Sequence, residues 1–326
     1  MNEAVAGIDI GGTKIALALE TVRGERISSR QFPTRVECGP ELILNNLASA
    51  VREMCASSQA RLLAAGLGCP GSVDKERGLV LSPINLPGWH EFPIVKSIEE
   101  RLCVPVLIEN DAKLAALGEH VYGAGRGFSD IVFFTISTGI GGGVIVGGEI
   151  LQRLGAGEVG HMTILPDGPL CGCGCRGCLD VLCSGTAIAN RARALLAQSE
   201  ASIINDMVKR PGDITAQVVA VAAQRGDALA GRVWDEMIYF LSIGIGNVIT
   251  ILAPEAVIIG GGVAASGEQL LGPLRPLVER RAKMIPVENV RLLQAALAGE
   301  SGVYGALAIA RRAASLQPLD ASSAIR

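Results

Sequence analysis

A strand, a glycine turn and a returning strand occur twice in this chain, and that repeat restricts the fold more than any other feature. Val5-Ala6-Gly7-Ile8-Asp9-Ile10 is a short apolar run, Gly11-Gly12-Thr13-Lys14 follows, and Ile15-Ala16-Leu17-Ala18-Leu19 resumes the apolar pattern. This spacing reads as two antiparallel strands joined by a tight turn. The same pattern returns at residues 131–136, 137–143 and 144–146, and a third apolar strand at 256–259 runs into Gly260-Gly261-Gly262. Such a recurrence predicts two related halves. It also predicts a phosphate cradle built from hairpin turns, because successive backbone N–H groups in a glycine-rich turn form a concave anion site.

Between the strands lie stretches of helical character at 41–56, 94–102 and 185–199, so strands and helices alternate and the fold class is α/β. A chain of 326 residues is long enough for two lobes, and the first boundary is expected after Asn110-Asp111, where a β-rich segment gives way to a helix over 112–121. Aromatic residues are only 3%, so the core must come from Ala, Val, Leu and Ile. Residues 237–254 are 18 positions without a charge, but Ser242, Gly244, Gly246 and Asn247 interrupt them, and a buried core helix is expected rather than a membrane span. The net charge is −3 and the basic residues are scattered, which argues against a nucleic-acid partner. The first residues carry no secretory pattern, so a reducing, cytoplasmic location is expected.

Nine cysteines are present, four of them between Cys171 and Cys178. His161, Cys171, Cys173 and Cys178 supply one imidazole and three thiolates, a donor set suited to a closed, tetrahedral, structural Zn²⁺ site. Cys175 and Cys183 remain competitors for the third sulfur. Cys38, Cys55, Cys69 and Cys103 read as small core hydrophobes, and His90 and His120 as surface or packing residues. Among phosphate templates, the Walker pattern fails because no Gly-Lys pair exists, and the G-x-G-x-x-G at 155–160 is not followed by a helical pattern. Asp9 stands ahead of the first turn, able to hold Mg²⁺ through its water shell. Glu109-Asn110-Asp111 follows an apolar strand and so sits at a strand's carboxyl end, where α/β proteins place ligands. The Asn-Asp pair equally fits a turn or a helix N-cap.

Together these motifs resemble the ROK family of sugar kinases and repressors, within the actin-like ATPase superfamily, over nearly the whole chain. The matching segments run in order from Asp9-x-Gly11-Gly12-Thr13-Lys14 through Pro70-Gly71-x-x-Asp74, Asn85-Leu86-Pro87-Gly88-Trp89, Glu109-Asn110-Asp111-Ala112 and Ser137-Thr138-Gly139-Ile140-Gly141-Gly142-Gly143. They continue through Gly157-Glu158-Val159-Gly160-His161, the cysteine loop, Gly244-Ile245-Gly246-Asn247 and Gly260-Gly261-Gly262. The resemblance implies two RNase H-like lobes with a ligand cleft between them, residues 1–111 and about 303–326 forming the smaller lobe and 112–302 the larger. It implies Asp111 as the catalytic base toward a sugar hydroxyl, and Gly71, Asn85, Asn110, Asp111, Glu158, His161 and Asp180 as sugar ligands. It places ATP on Gly11, Gly12, Thr13, Lys14, Thr138, Gly139, Gly141, Gly261 and Gly262, with Mg²⁺ at Asp9, and a structural zinc on the His-Cys₃ set. A homodimer or homotetramer is the implied assembly, and ATP-dependent hexose phosphorylation the implied activity, with glucose the expected substrate.

Two positions depart from the family pattern. Asp180 stands where relatives commonly carry Glu, one methylene longer, and Lys113 stands where many carry Asn. N-Acetylmannosamine or N-acetylglucosamine phosphorylation is the alternative, because the same base, hairpins and zinc loop serve those kinases. A sugar-sensing repressor is disfavoured, since only eight residues precede Asp9 and a helix-turn-helix module needs more.

Overall fold

The structure, a computed structural model, describes residues 2–315 except positions 82, 84, 154, 199, 200, 287 and 288. It divides into two compact units, one of Met1–Tyr122, Gln152–Gly155 and Glu300–Arg326, the other of Gly123–Leu151 and Ala156–Gly299. Residues 316–326, which the expected smaller lobe includes, lie outside the described residues.

In the first unit, β1 (Asn2–Ile10), β2 (Lys14–Thr21) and β3 (Arg26–Pro33) form an antiparallel meander. Helix α1 (Gly39–Ser57) starts with proline in its first turn, where the missing N–H costs nothing. It leads to β4 (Ala60–Cys69), a ribbon of β5 (Val73–Asp74) and β6 (Leu79–Val80), then α2 (Ile94–Leu102), β7 (Val106–Asn110) and α3 (Asp111–Tyr122). The sheet order is β3-β2-β1-β4-β7, with β1, β4 and β7 parallel. Parallel strands end at one edge, so the residues after Ile10, Cys69 and Asn110 are gathered there whatever their sequence separation.

The second unit repeats the plan. Its strands β8 (Ile131–Ile136), β9 (Ile140–Val146) and β10 (Glu149–Ile150) are again antiparallel neighbours. A helical stretch follows, comprising α4 (Leu179–Cys183), α5 (Gly185–Leu196), α6 (Ile204–Met207), α7 (Ala216–Gln224) and α8 (Ala228–Leu252). Strand β11 (Ala256–Gly260), α9 (Glu268–Arg281) and β12 (Arg291–Gln294) complete a sheet of order β10-β9-β8-β11-β12. Three antiparallel strands with two parallel additions thus occur twice, and the two sheets are copies of one RNase H-like topology. The apolar run at 237–254 is the later part of α8, whose Met237, Leu241, Ile245 and Ile249 are buried in this unit's core.

Differences from the sequence reading have local causes. The glycine run after the third strand has a different setting from the two hairpin turns: β11 is parallel to both β8 and β12, and Gly260 leads through a short 3₁₀ turn into α9. Cys38 and Cys103 are exposed rather than core residues, whereas Cys69 is buried. Cys103 ends α2 in the left-handed region (φ 56°) with its N–H on Glu99 O, so it faces out at a helix terminus.

The boundary between units falls after α3, not before it. The reason is α10 (Ser301–Ser315), which returns to the first unit and packs against both α3 and the sheet. A Cβ on Gly66 would stand 1.9 Å from Ala306 O, and one on Gly305 1.9 Å from Leu114 O. These glycines let helix and sheet backbones touch directly, which welds α3 and α10 to β4. Each unit has its own core of Ile, Leu, Val and Ala, with Trp89 in the first and Phe134 in the second as large buried rings.

Candidate functional site

The carboxyl edge of the first sheet carries the expected first-unit residues together. Gly11 N–H donates to Lys14 O at 2.9 Å, closing the first turn. Thr34, which the sequence reading missed, clamps this turn from β3's end: its hydroxyl donates to Gly11 O at 2.6 Å and its N–H to Thr13 O at 3.0 Å. Asn85 lies against the turn, so close that a Cβ on Gly12 would stand 2.8 Å from Asn85 Cβ. Asp9 packs its carboxyl against two glycines; Cβ atoms would come 3.1 Å from Oδ1 at Gly68 and 2.6 Å from Oδ2 at Gly302. Burial, with the Asp111 charge adding to it and Lys14 opposing, pushes Asp9 up to about 7. Asp9 and Asp111 therefore share one electrostatic site.

Asn110 takes the N-cap role that its sequence position allowed. Its Oδ1 accepts from Ala112 N at 3.0 Å and Lys113 N at 3.1 Å, starting α3, while its Nδ2 donates to Gly71 O at 3.0 Å. This fixes Asp111 as the first residue of α3. Glu109 is buried and paired with Lys75. Lys75 also donates to Gln152 Oε1 at 3.0 Å, and the buried Lys113 donates to Arg153 O at 3.1 Å. The two lysines tie the strap of Gln152–Gly155 to the first unit, which gives Lys113 a physical role that its sequence position did not reveal.

In the second unit, the turn at 137–140 is closed by Ser137 N donating to Gly139 O at 2.8 Å. Asp180 Oδ1 accepts from Ile140 N at 2.6 Å. Gly261 adopts φ +85°, and a Cβ there would stand 2.4 Å from Ile136 O, so only glycine fits beneath the end of β8. Gly262 instead faces open space. It borders a cavity of about 800 Å³ that Thr138, Gly185, Thr215, Trp234 and Gln269 also line. No motif marked Thr215, Trp234 or Gln269, because helices α7, α8 and α9 bring them in from distant positions. Glu158 is exposed, and its carbonyl accepts from His161 N at 3.0 Å in a 3₁₀ turn.

The candidate metal-ligating residues His161, Cys171, Cys173 and Cys178 come together, with donor atoms within 4.8 Å of one another. Cys171 Sγ is 3.7 Å from His161 Nδ1, and Cys173 Sγ is 3.6 Å from Cys178 Sγ. A tetrahedral zinc with bonds of roughly 2.0–2.3 Å has ligand-to-ligand edges of about 3.5–3.8 Å, so the donors fit that ion. Cys183 is elsewhere, its Sγ on Met237 O, and Cys175 is exposed outside the set. The Cys173 thiol is drawn down to about 7, first by a backbone hydrogen bond at Cys175, whereas burial pushes Cys178 up to about 12.

Comparison with known proteins agrees with this geometry. The ROK family model matches residues 5–313. A glucokinase of Halalkalibacterium halodurans is 36% identical over 305 residues, 92% of each chain. An N-acetylmannosamine kinase of Escherichia fergusonii is 34% identical over 93% of this chain and 97% of that one. Among solved structures, a ROK family glucokinase from Streptomyces griseus in complex with glucose and AMPPNP superposes with a TM-score of 0.80 at 33% identity, covering 95% of this chain and 99% of that one. With the duplicated sheets, the paired glycine turns and the His-Cys₃ set all present in one chain, the protein belongs to the ROK family.

Proposed function

We propose that this protein is an ATP-dependent hexose kinase that transfers the γ-phosphoryl group to the 6-hydroxyl of glucose, with Asp111 as the base. The observation that carries this reading is the placement of Asp111 beside Asp9 at the edge where the first glycine turn opens. In the reaction, Asp111 accepts the proton of the sugar hydroxyl as the oxygen bonds to phosphorus, and ADP leaves with the electron pair of the broken P–O bond. Gly11 closes the first turn through its own N–H, and the amides of Gly12 and Thr13, with the Lys14 ammonium, are assigned to the first phosphate positions. Thr138, Gly139 and Gly141 serve the second turn, and Gly261 with Gly262 borders the adenosine. Mg²⁺ on the nucleotide would neutralise phosphate charge and be held at Asp9, whose carboxyl ionises readily near neutral pH.

Gly71, Asn85, Asn110, Glu158 and His161 are assigned to the sugar hydroxyls. Such polar sites reject analogues that leave a buried group unmatched. Zinc on His161, Cys171, Cys173 and Cys178 would be structural, fixing the orientation of His161 through one ring nitrogen and leaving the other free for the sugar. ATP as donor and thiols kept reduced both fit a cytoplasmic location. The 34% identical N-acetylmannosamine kinase supports a second reading with the same machinery and an N-acetylated sugar.

The test is ADP release with Mg²⁺-ATP against glucose, N-acetylmannosamine, N-acetylglucosamine, mannose, fructose and allose, compared as kcat/KM. Glucose is expected to lead, and Asp111→Asn to lower kcat about 10²- to 10⁴-fold with sugar binding retained. A lead for an N-acetylated sugar selects the second reading, and unchanged turnover in Asp111→Asn removes the base assignment.

A further inference from the structure

Asp180 occupies the first turn of α4, two residues after Cys178. Its Oδ1 accepts the Ile140 N–H at 2.6 Å, a short, charge-assisted bond to the first residue of β9. The fit is close, since a Cβ on Gly139 would stand 3.0 Å from the same oxygen. The junction of α4 and α5 adds two backbone bonds to the same turn, Gly185 N to Ser137 O at 2.7 Å and Thr186 N to Thr138 O at 3.4 Å. Together with the Ser137–Gly139 closure, every residue from 137 to 140 is engaged from below by its own turn or by this helical junction. The aspartate is matched to this task by length: its short side chain brings the carboxylate under the turn while α4 stays against it.

We propose that Asp180 is a positioning residue for the nucleotide phosphates, holding the 137–140 turn in the shape that presents the Thr138 and Gly139 amides to ATP, and that sugar recognition in this chain does not rest on position 180. This inference depends on the kinase reading for the identity of the nucleotide. It assigns the Asp-for-Glu departure a consequence: the shorter side chain places its Oδ1 on the phosphate turn, where a longer one could extend toward a sugar hydroxyl.

The test compares wild type, Asp180→Ala, Asp180→Asn and Asp180→Glu in the full chain, measuring KM for ATP and for glucose and the equilibrium Kd of Mg²⁺-AMPPNP by calorimetry. Zinc content and thermal melting check the fold of each variant. Removing a charged hydrogen-bond acceptor should raise the ATP KM and the AMPPNP Kd about 10- to 100-fold in Asp180→Ala. The glucose KM should stay within about threefold of wild type. Asp180→Asn keeps an acceptor oxygen and should recover most of the affinity lost in Asp180→Ala, whereas Asp180→Glu should resemble Asp180→Ala. The proposal is overturned if Asp180→Ala folds and leaves the AMPPNP Kd unchanged, or if Asp180→Ala or Asp180→Asn raises the glucose KM tenfold or more. Should Asp180→Ala fail to fold, the glucose KM of Asp180→Asn alone decides. Lack of turnover in the wild type speaks against the kinase reading, while the AMPPNP affinities still decide the role of Asp180.

Discussion

Replacing Asp9 by Asn should stabilise the ligand-free protein while disabling it, and the size of the gain should depend on pH. Asp9's carboxyl is packed against Gly68 and Gly302 and shares its surroundings with Asp111, which raises its pKa from 3.8 to about 7. A carboxyl whose pKa rises on folding favours the folded state only while it is neutral. The penalty is therefore absent below about pH 4, grows as pH rises through the interval from 3.8 to about 7, and is constant above it. About three pKa units at ~1.36 kcal/mol each give an upper bound near 4 kcal/mol. Residual solvent contact lowers the figure to ~2–4 kcal/mol at pH 8, of which ~1–2 kcal/mol is already present at pH 5. At roughly 2–4 °C per kcal/mol for units of this size, that ~1–2 kcal/mol difference should widen the Tm advantage of Asp9→Asn by about 2–8 °C between pH 5 and pH 8. The assay is thermal unfolding of both proteins in EDTA at pH 5, 6, 7 and 8, repeated with Mg²⁺-ATP. The nucleotide should narrow the gap, because a cation at Asp9 stabilises only the wild type. A Tm difference that is flat from pH 5 to pH 8 would refute the argument that Asp9 is held against its charge.

Two further outcomes follow from the packing and the metal set. Purified protein should carry about one Zn²⁺ per chain; loss of the ion on chelation or in Cys178→Ser should raise the sugar KM, and acidification should weaken zinc binding because the ligands must be thiolates. Metal analysis by mass spectrometry beside sugar kinetics checks this, and metal-free protein with an unchanged sugar KM would exclude it. Gly66→Ala places a Cβ 1.9 Å from Ala306 O and should cost ~3 kcal/mol or more in urea unfolding, whereas Gly172→Ala, which meets nothing within 4 Å, should stay within ~0.5 kcal/mol. Equal midpoints for the two variants would show that α10 does not touch the sheet as described.

Much of the site was legible before the structure because its parts are local. The hairpin at Gly11 is written in an apolar alternation on either side of glycines, and the His-Cys₃ set in an eight-residue loop rich in sulfur plus one preceding histidine. Asn110 as a helix cap could be read from Asn followed by a helical pattern, although the sequence alone left a ligand role equally open. Thr34, Lys75 and Lys113 were not legible as parts of the site, since each acts on backbone or side chains 21 or more positions away. The path of the chain after 256–262 was not legible for a related reason: apolar residues followed by glycines look alike whether the chain turns back as a hairpin or departs into a helix.

Short-range periodicity and motif spacing sufficed to determine that this chain is α/β, that it is built of two related halves and that it carries glycine turns and a His-Cys₃ cluster. Those properties depend on dihedral preferences and donor types, which are carried by neighbouring residues. Only the tertiary structure decided that α3 belongs with the first unit, that Asp9 is driven toward neutrality and that Asp180 holds the second glycine turn. Each of these arises from a close approach between segments far apart in the chain, where a missing Cβ, a neighbouring charge or one hydrogen bond decides the outcome, and no local pattern encodes such a distance.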